Sequence, residues 1–118
     1  ESPARPGRTL LKIVYAVQET RMNLTDALRF GEEISFLLPS KPPFDLQQTV
    51  RQLRHGLRNF NDDDHLLLIG DPVAIGLATA VALELNMGKA KVLRWDRMSN
   101  SYAPLQVRMH LKNERAEL

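Results

Sequence analysis

The chain contains no cysteine. Disulfides, thiolate metal sites and cysteine nucleophiles are therefore excluded. Small secreted domains often depend on disulfides, so the absence favours a cytoplasmic protein. Long apolar runs are missing too. The longest, Val73 to Leu85, contains Glu84 and falls short of the about 20 residues that a membrane span needs. No membrane partner is expected. The first residues lack the apolar stretch of a secretion signal, and Glu1 stands where an initiator methionine would, as in a processed or trimmed chain. There is no phosphate-binding lysine motif and no full dinucleotide glycine pattern, so nucleotide chemistry of those kinds is disfavoured and no cofactor is expected. A strong excess of one charge is also absent: the formal net charge is +2, which permits nucleic-acid binding without arguing for it.

What is present fits one domain of 118 residues. A chain of this size buries roughly two-thirds of its unfolded surface and needs no staples. Residues 1–9 carry two prolines and a glycine and read as an arm; residues 111–118 read as a charged tail. The domain proper is expected over 10–110.

Leu10 to Val17 is apolar and β-branched, a buried first strand. Thr25 to Phe30 has room for one helical turn, stopped by Gly31, and Ile34 to Leu38 reads as a second strand ended by Pro39. Asp45 with Gln48 three residues on forms a variant capping box. Leu46, Val50, Leu53, Leu57 and Phe60 then recur at helical spacing on one stripe. Gly56 costs that helix roughly 1 kcal/mol relative to alanine. Leu66 to Ile69 is an unbroken apolar run, the mark of a central parallel strand. Asp71 and Pro72 can cap and open a second helix, stopped by Asn86-Met87-Gly88. This helix is apolar nearly all round, so it needs cover on more than one side. Two alternating segments around a polar turn, 96–101, complete a hairpin, and Pro104 makes its last strand an edge. The expected fold is α/β: a mixed, mainly parallel five-stranded sheet with two main helices and a C-terminal antiparallel hairpin.

Candidate functional residues are few. Gly70-Asp71-Pro72 sits where a central strand ends and a helix begins, the usual place for ligands in open α/β sheets. Asp71 there could hold a metal or activate water, with Glu19 at the end of the first strand as a converging partner. The simpler reading makes Asp71 a helix cap and Gly76 a packing contact. Asp62-Asp63-Asp64-His65 has ligating side chains but lacks the spacing of a calcium loop, and a solvated loop is the plainer expectation; no metal is assigned. Arg51, Arg54 and Arg58 lie on one helical face. With Arg94, Arg97 and Arg108 of the hairpin they could contact phosphates, and Trp95 and Tyr102 could supply stacking surfaces. On the second helix Val73, Leu77 and Val81 are the expected oligomer interface, because so short a chain has few elements left to cover them.

The run Leu66 to Gly76, Val92 to Arg97 with Tyr102, and Tyr15-Ala16-Val17-Gln18-Glu19 resembles a family of small proteins encoded by tailed bacteriophages, over about residues 13–109. The resemblance implies expression in a bacterial cytoplasm and a role in the infection cycle. It transfers no catalytic residue. Three functions stay open: a non-catalytic, homo-oligomeric binding module acting through a protein partner, a nucleic-acid-binding protein, and a small metal-dependent hydrolase or nuclease centred on Asp71.

Overall fold

A computed structural model describes residues 11–110. The arm and tail expected at 1–9 and 111–118 lie outside the described residues, as does Leu10. The chain forms strand β1 (Ile13–Gln18), a 3-10 helix (Thr25–Arg29), β2 (Glu33–Leu38), helix α1 (Leu46–Gly56), β3 (His65–Leu67), helix α2 (Pro72–Leu85), β4 (Lys89–Asp96) and β5 (Ser101–Arg108). The strands form one sheet in the order β2-β1-β3-β4-β5. The first four run parallel and β5 returns antiparallel to β4. The mixed α/β sheet expected from the sequence is the one observed, with β5 at an edge.

All six residues of β1 are buried. Their alternation divides the core in two. Ile13, Tyr15 and Val17 face α1 and α2, against Leu53, Leu57, Phe60, Ala78 and Val81. Val14 and Ala16 face the other way, against Leu24, Ala27, Leu67, Leu93 and Tyr102. Both long helices thus cover one face, and the segment around the 3-10 helix covers the other. Asp26 and Arg29 of that helix also occupy the edge of β5: the Tyr102 N–H donates to Asp26 Oδ2 at 2.7 Å, and Arg29 Nη2 donates to the Tyr102 carbonyl at 2.9 Å. The Arg29 guanidinium and the Tyr102 N–H together hold the Asp26 carboxyl below its ordinary range.

The helices show two ways of matching sequence to burial. α1 is strongly amphipathic. Asp45 caps it by accepting the Gln48 N–H at 3.1 Å. Its inner stripe differs from expectation at both ends. Leu46 is 43% exposed and Thr49 is buried instead, because the Thr49 hydroxyl satisfies itself on the Asp45 carbonyl. The helix stops at Gly56, and Leu57 and Phe60 reach the core from the following turns. A Cβ at Gly56 would lie 2.7 Å from Leu37 Cδ2, so its missing side chain lets α1 close onto β2. α2 begins on the Asp71 cap with Pro72 in its first turn. It ends where the Gly88 N–H reaches the Leu83 carbonyl, with Met87 and Gly88 both at positive φ.

β3 is shorter than the apolar run that encodes it. Leu68 makes one further bond to Leu93, and the Ile69 N–H then turns back onto the Leu67 carbonyl, ending the ladder. Ahead of β3, the solvated loop expected at 62–65 is solvated only in part. Asp64 is fully buried. Its carboxylate accepts the Ile13 N–H and the Asn61 N–H, both at 3.0 Å, and so joins the start of β1 to the turn before β3. Asp64→Ala leaves those donors without that acceptor in the interior and should cost about 3 kcal/mol. Asp64→Asn keeps one acceptor oxygen and should cost less. Urea midpoints of the two variants check the order.

Candidate functional site

In this strand order the chain leaves β1 toward one side of the sheet and β3 toward the other. The carboxyl ends of these adjacent strands therefore frame the crevice where doubly wound proteins bind ligands. One side chain fills it. Gln18, the last residue of β1, accepts the Asp71 N–H on Oε1 at 2.6 Å and donates through Nε2 to the Pro39 carbonyl at 3.1 Å and the Lys41 carbonyl at 2.7 Å. A single amide thus ties together the ends of β1, β2 and β3. Gly70, at φ +121°, passes directly over it. A Cβ there would collide with the Gln18 amide, so glycine is required for space as well as for backbone angle.

Asp71 is engaged locally. Its Oδ2 accepts the Val73 N–H at 2.9 Å and the Ala74 N–H at 3.4 Å. Glu19 lies beyond Gln18: its N–H joins the Leu38 carbonyl and its side chain is exposed. The residue between the two strand ends is Gln18, which sequence reasoning did not single out. A polar residue closing an otherwise apolar strand was the available signal.

Beside this crevice, a groove of about 470 Å³ opens between the end of β2 and the start of α1. Pro42, Pro43, Phe44 and Gln48 are among its walls. Phe44 is 100% exposed, and no periodicity in the sequence marks it.

The two basic groups do not merge. Arg51 and Arg54 ride on α1 and Arg58 on the turn that follows it, on the helix-covered side of the sheet. Arg54 lies against Glu84 of α2, with two hydrogen bonds of 3.0 Å. Arg51 donates to Gln48, and Arg58 to the His55 carbonyl. In the hairpin, Arg94 pairs with Ala103 on the helix-covered face. Arg108 pairs with Lys89 on the opposite face, and Arg97 sits in the turn. Trp95 and Tyr102 pack edge to face with ring centres 4.9 Å apart, and Tyr102 is buried. The ring available for stacking is Trp95.

The acidic run also diverges. Asp62 accepts from Asn86 and Lys89, while Asp64 turns inward. On α2, Val81 is only 4% exposed and belongs to the chain's own core, so it cannot contribute to a surface. Val73 is 48% exposed, Leu77 is half-buried, and Gly76 and Ala80 are exposed. A Cβ at Gly76 would meet nothing within 4 Å. Gly76 is therefore not a packing contact within the chain.

A family model described as Phage Pam3 gp32-like protein matches residues 12–109. The chain belongs to that family. No curated protein and no solved structure matches it. The family match covers both core faces, the Gln18 crevice and α2, and it assigns no chemistry to any of them. No helix among the described residues is long and apolar enough to cross a membrane.

Replacing Gln18 tests how the crevice is held shut. Gln18→Ala removes three hydrogen bonds at once and should lower stability by roughly 1–3 kcal/mol, read from chemical denaturation. Protection of the Asp71 amide against hydrogen exchange should fall with it. Gln18→Glu keeps the acceptor for Asp71 but turns an anionic oxygen toward two carbonyls. It should be the more destabilising of the two at neutral pH and recover as the pH falls and the carboxyl takes up a proton.

Proposed function

We propose that this phage-family protein is a non-catalytic binding module that self-associates through the outer face of α2. One observation carries the reading. Between Asp71 and Glu84 the exposed residues of α2 after Pro72 are Val73, Gly76 and Ala80, flanked by half-buried Leu77; the polar side chain on this stretch, Thr79, is half-buried and turns its hydroxyl onto the Ile75 carbonyl. A surface helix normally turns charged or polar residues to water, as α1 does with Gln47, Gln48, Arg51, Gln52, Arg54 and His55. α2 does not, although Ala74, Ala78, Val81 and Ala82 already supply its buried side.

Small size on the outer face favours a helix partner. Gly76 and Ala80 are one turn apart, and helices whose contact residues are small approach closely. A second copy fits best, since a two-fold axis would set the same apolar strip against itself. A 14-residue helix is only about 21 Å long, while a stable interface removes roughly 1,200–2,000 Å² from water. Flanking surface is therefore required. Leu85 at the end of α2 and Leu105, 44% exposed on the same face of the edge strand, extend the apolar strip. The setting would be the cytoplasm of a bacterial host.

Light scattering on the full chain at micromolar concentration should return a dimer or larger assembly. Ala80→Arg keeps helix propensity, touches no core contact, and should yield a monomer with unchanged circular dichroism. A wild-type chain that stays monomeric into the millimolar range would overturn the reading. The capping role of Asp71 is tested separately. Asp71→Asn preserves an acceptor for the helix N-terminus and should leave stability within about 0.5 kcal/mol of the wild type, whereas Asp71→Ala should cost about 1 kcal/mol.

A further inference from the structure

At the opposite end of the sheet from Gln18, the strand register gathers a set of basic groups on the face away from the helices. His65 begins β3 and pairs with Val14. Lys12 lies two residues before Val14, hence on the same face. Lys91 lies one residue before Val92, which pairs with Leu66, so it stands beside His65 on the neighbouring strand. A pocket of about 300 Å³ opens here, with Lys12, Leu28, Arg29, Phe30, Glu32 and His65 among its walls.

Of the acids nearby, Glu32 stands in the pocket wall, and each has a bond or a strand pairing of its own. Glu32 accepts the Lys12 backbone N–H at 2.6 Å. Asp64 accepts from Ile13 and Asn61. Asp26 holds Arg29 and the Tyr102 N–H. Asp62 holds Asn86 and Lys89. Glu33 pairs with Ile13, whose side chain belongs to the helix-covered face. Neither Lys12 nor Lys91 forms a close ion pair with a carboxylate among the described residues, and the Lys91 charge, with that of Lys89, helps hold the Asp62 carboxyl below its ordinary range after the Asn86 hydrogen bond.

His65 is 8% exposed, and its buried Nδ1 has no hydrogen-bond partner. Phe30 packs on the ring, with centroids 5.2 Å apart. A buried N–H without an acceptor is costly. The favoured neutral tautomer therefore leaves Nδ1 bare and carries its proton on Nε2, the nitrogen that can reach the pocket.

We propose that Lys12, His65 and Lys91 form a binding site for a small tetrahedral oxyanion of the phosphate class, with the Nε2–H of His65 as a donor to it. The two ammonium groups supply charge, and Leu28 with Phe30 supplies an apolar wall that would seat the organic part of a phosphate monoester. Burial, together with repulsion from Lys91 and Lys12, holds the His65 pKa below its usual value. A bound dianion would offset that repulsion, against the fixed cost of placing a proton on the buried Nδ1. Binding and protonation of His65 are then linked, and each favours the other.

The test is an NMR titration of the full chain at constant ionic strength, following the three histidine rings. Inorganic phosphate and phenyl phosphate are the probes, and sulfate is a third whose charge stays fixed over the range. Phosphate should shift the His65 ring saturably while His55 and His110 respond little. Sulfate should raise the His65 pKa and bind more tightly as the pH falls through it. Tighter binding of phenyl phosphate would identify a monoester as the ligand; equal binding would identify free phosphate. Lys91→Gln, a partly exposed position whose change should spare the fold, should weaken phosphate roughly tenfold, and Lys91→Arg should retain it. Shifts that stay linear in anion concentration, or that persist undiminished in Lys91→Gln, would overturn the proposal. So would equal responses from all three histidines.

Discussion

Everything in this fold is arranged around the burial of β1. Its six side chains point alternately to two faces, and both must be kept from water. Each large apolar side chain so buried contributes roughly 1.5–3 kcal/mol, which no surface interaction in the molecule approaches. The chain covers one face with two helices and the other with a 3-10 turn and its neighbours. That unequal cover explains much of the surface. Two helices side by side on one face leave α2 with a side that nothing in the described chain reaches. The thin cover on the other face leaves room for the pocket beside His65.

Polar groups fix both ends of the same strand. Asp64 receives the N–H of its first residue, Ile13, and Gln18 is its last. The two side chains act across 51 and 53 residues of sequence. A strand buried on both faces cannot slide without exposing an entire row of side chains, and these two anchors also set where its neighbours begin and end. The anchoring at the carboxyl end has a functional consequence. The crevice that doubly wound sheets usually offer to ligands is occupied by an amide with all three bonds made, so an incoming group would have to displace it.

This separates what was legible in the sequence from what was not. Element order, sheet type, the two caps and the edge position of β5 could be read because each follows from a local pattern: a spacing, a capping residue, a proline. The roles of Gln18, Asp64 and His65 could not. A hydrogen bond between residues 18 and 71 leaves no periodicity behind. Asp64 and His65 sit in a run, Asp62 to His65, whose composition is that of a loop in water, yet the last two are buried. The Arg54 charge looked free for the same reason: its partner Glu84 lies 30 residues away on another helix. Val81 was misplaced for a different reason. A helix apolar on all sides gives no clue to which side faces the sheet, and only the topology settles that Val81 faces in while Val73 faces out.

Charge placement bears on which kind of partner the molecule suits. A duplex or single strand is held by a continuous positive stripe, because its phosphates are spaced along a line and each contact adds to the last. Here Arg94 and Arg108 emerge on opposite faces of the sheet, α2 separates the α1 row from the hairpin, and one member of that row lies against Glu84. Such a distribution does not line these arginines up as one stripe. It suits a compact anion, which needs only two or three donors converging at one point. The N-terminal ends of β1, β3 and β4 bring Lys12, His65 and Lys91 together because parallel strands in register start side by side. The same register sets the outer face of α2 on the far side of the sheet. Occupation of one surface leaves the other open, so the chain could hold an anion and a second copy of itself at the same time.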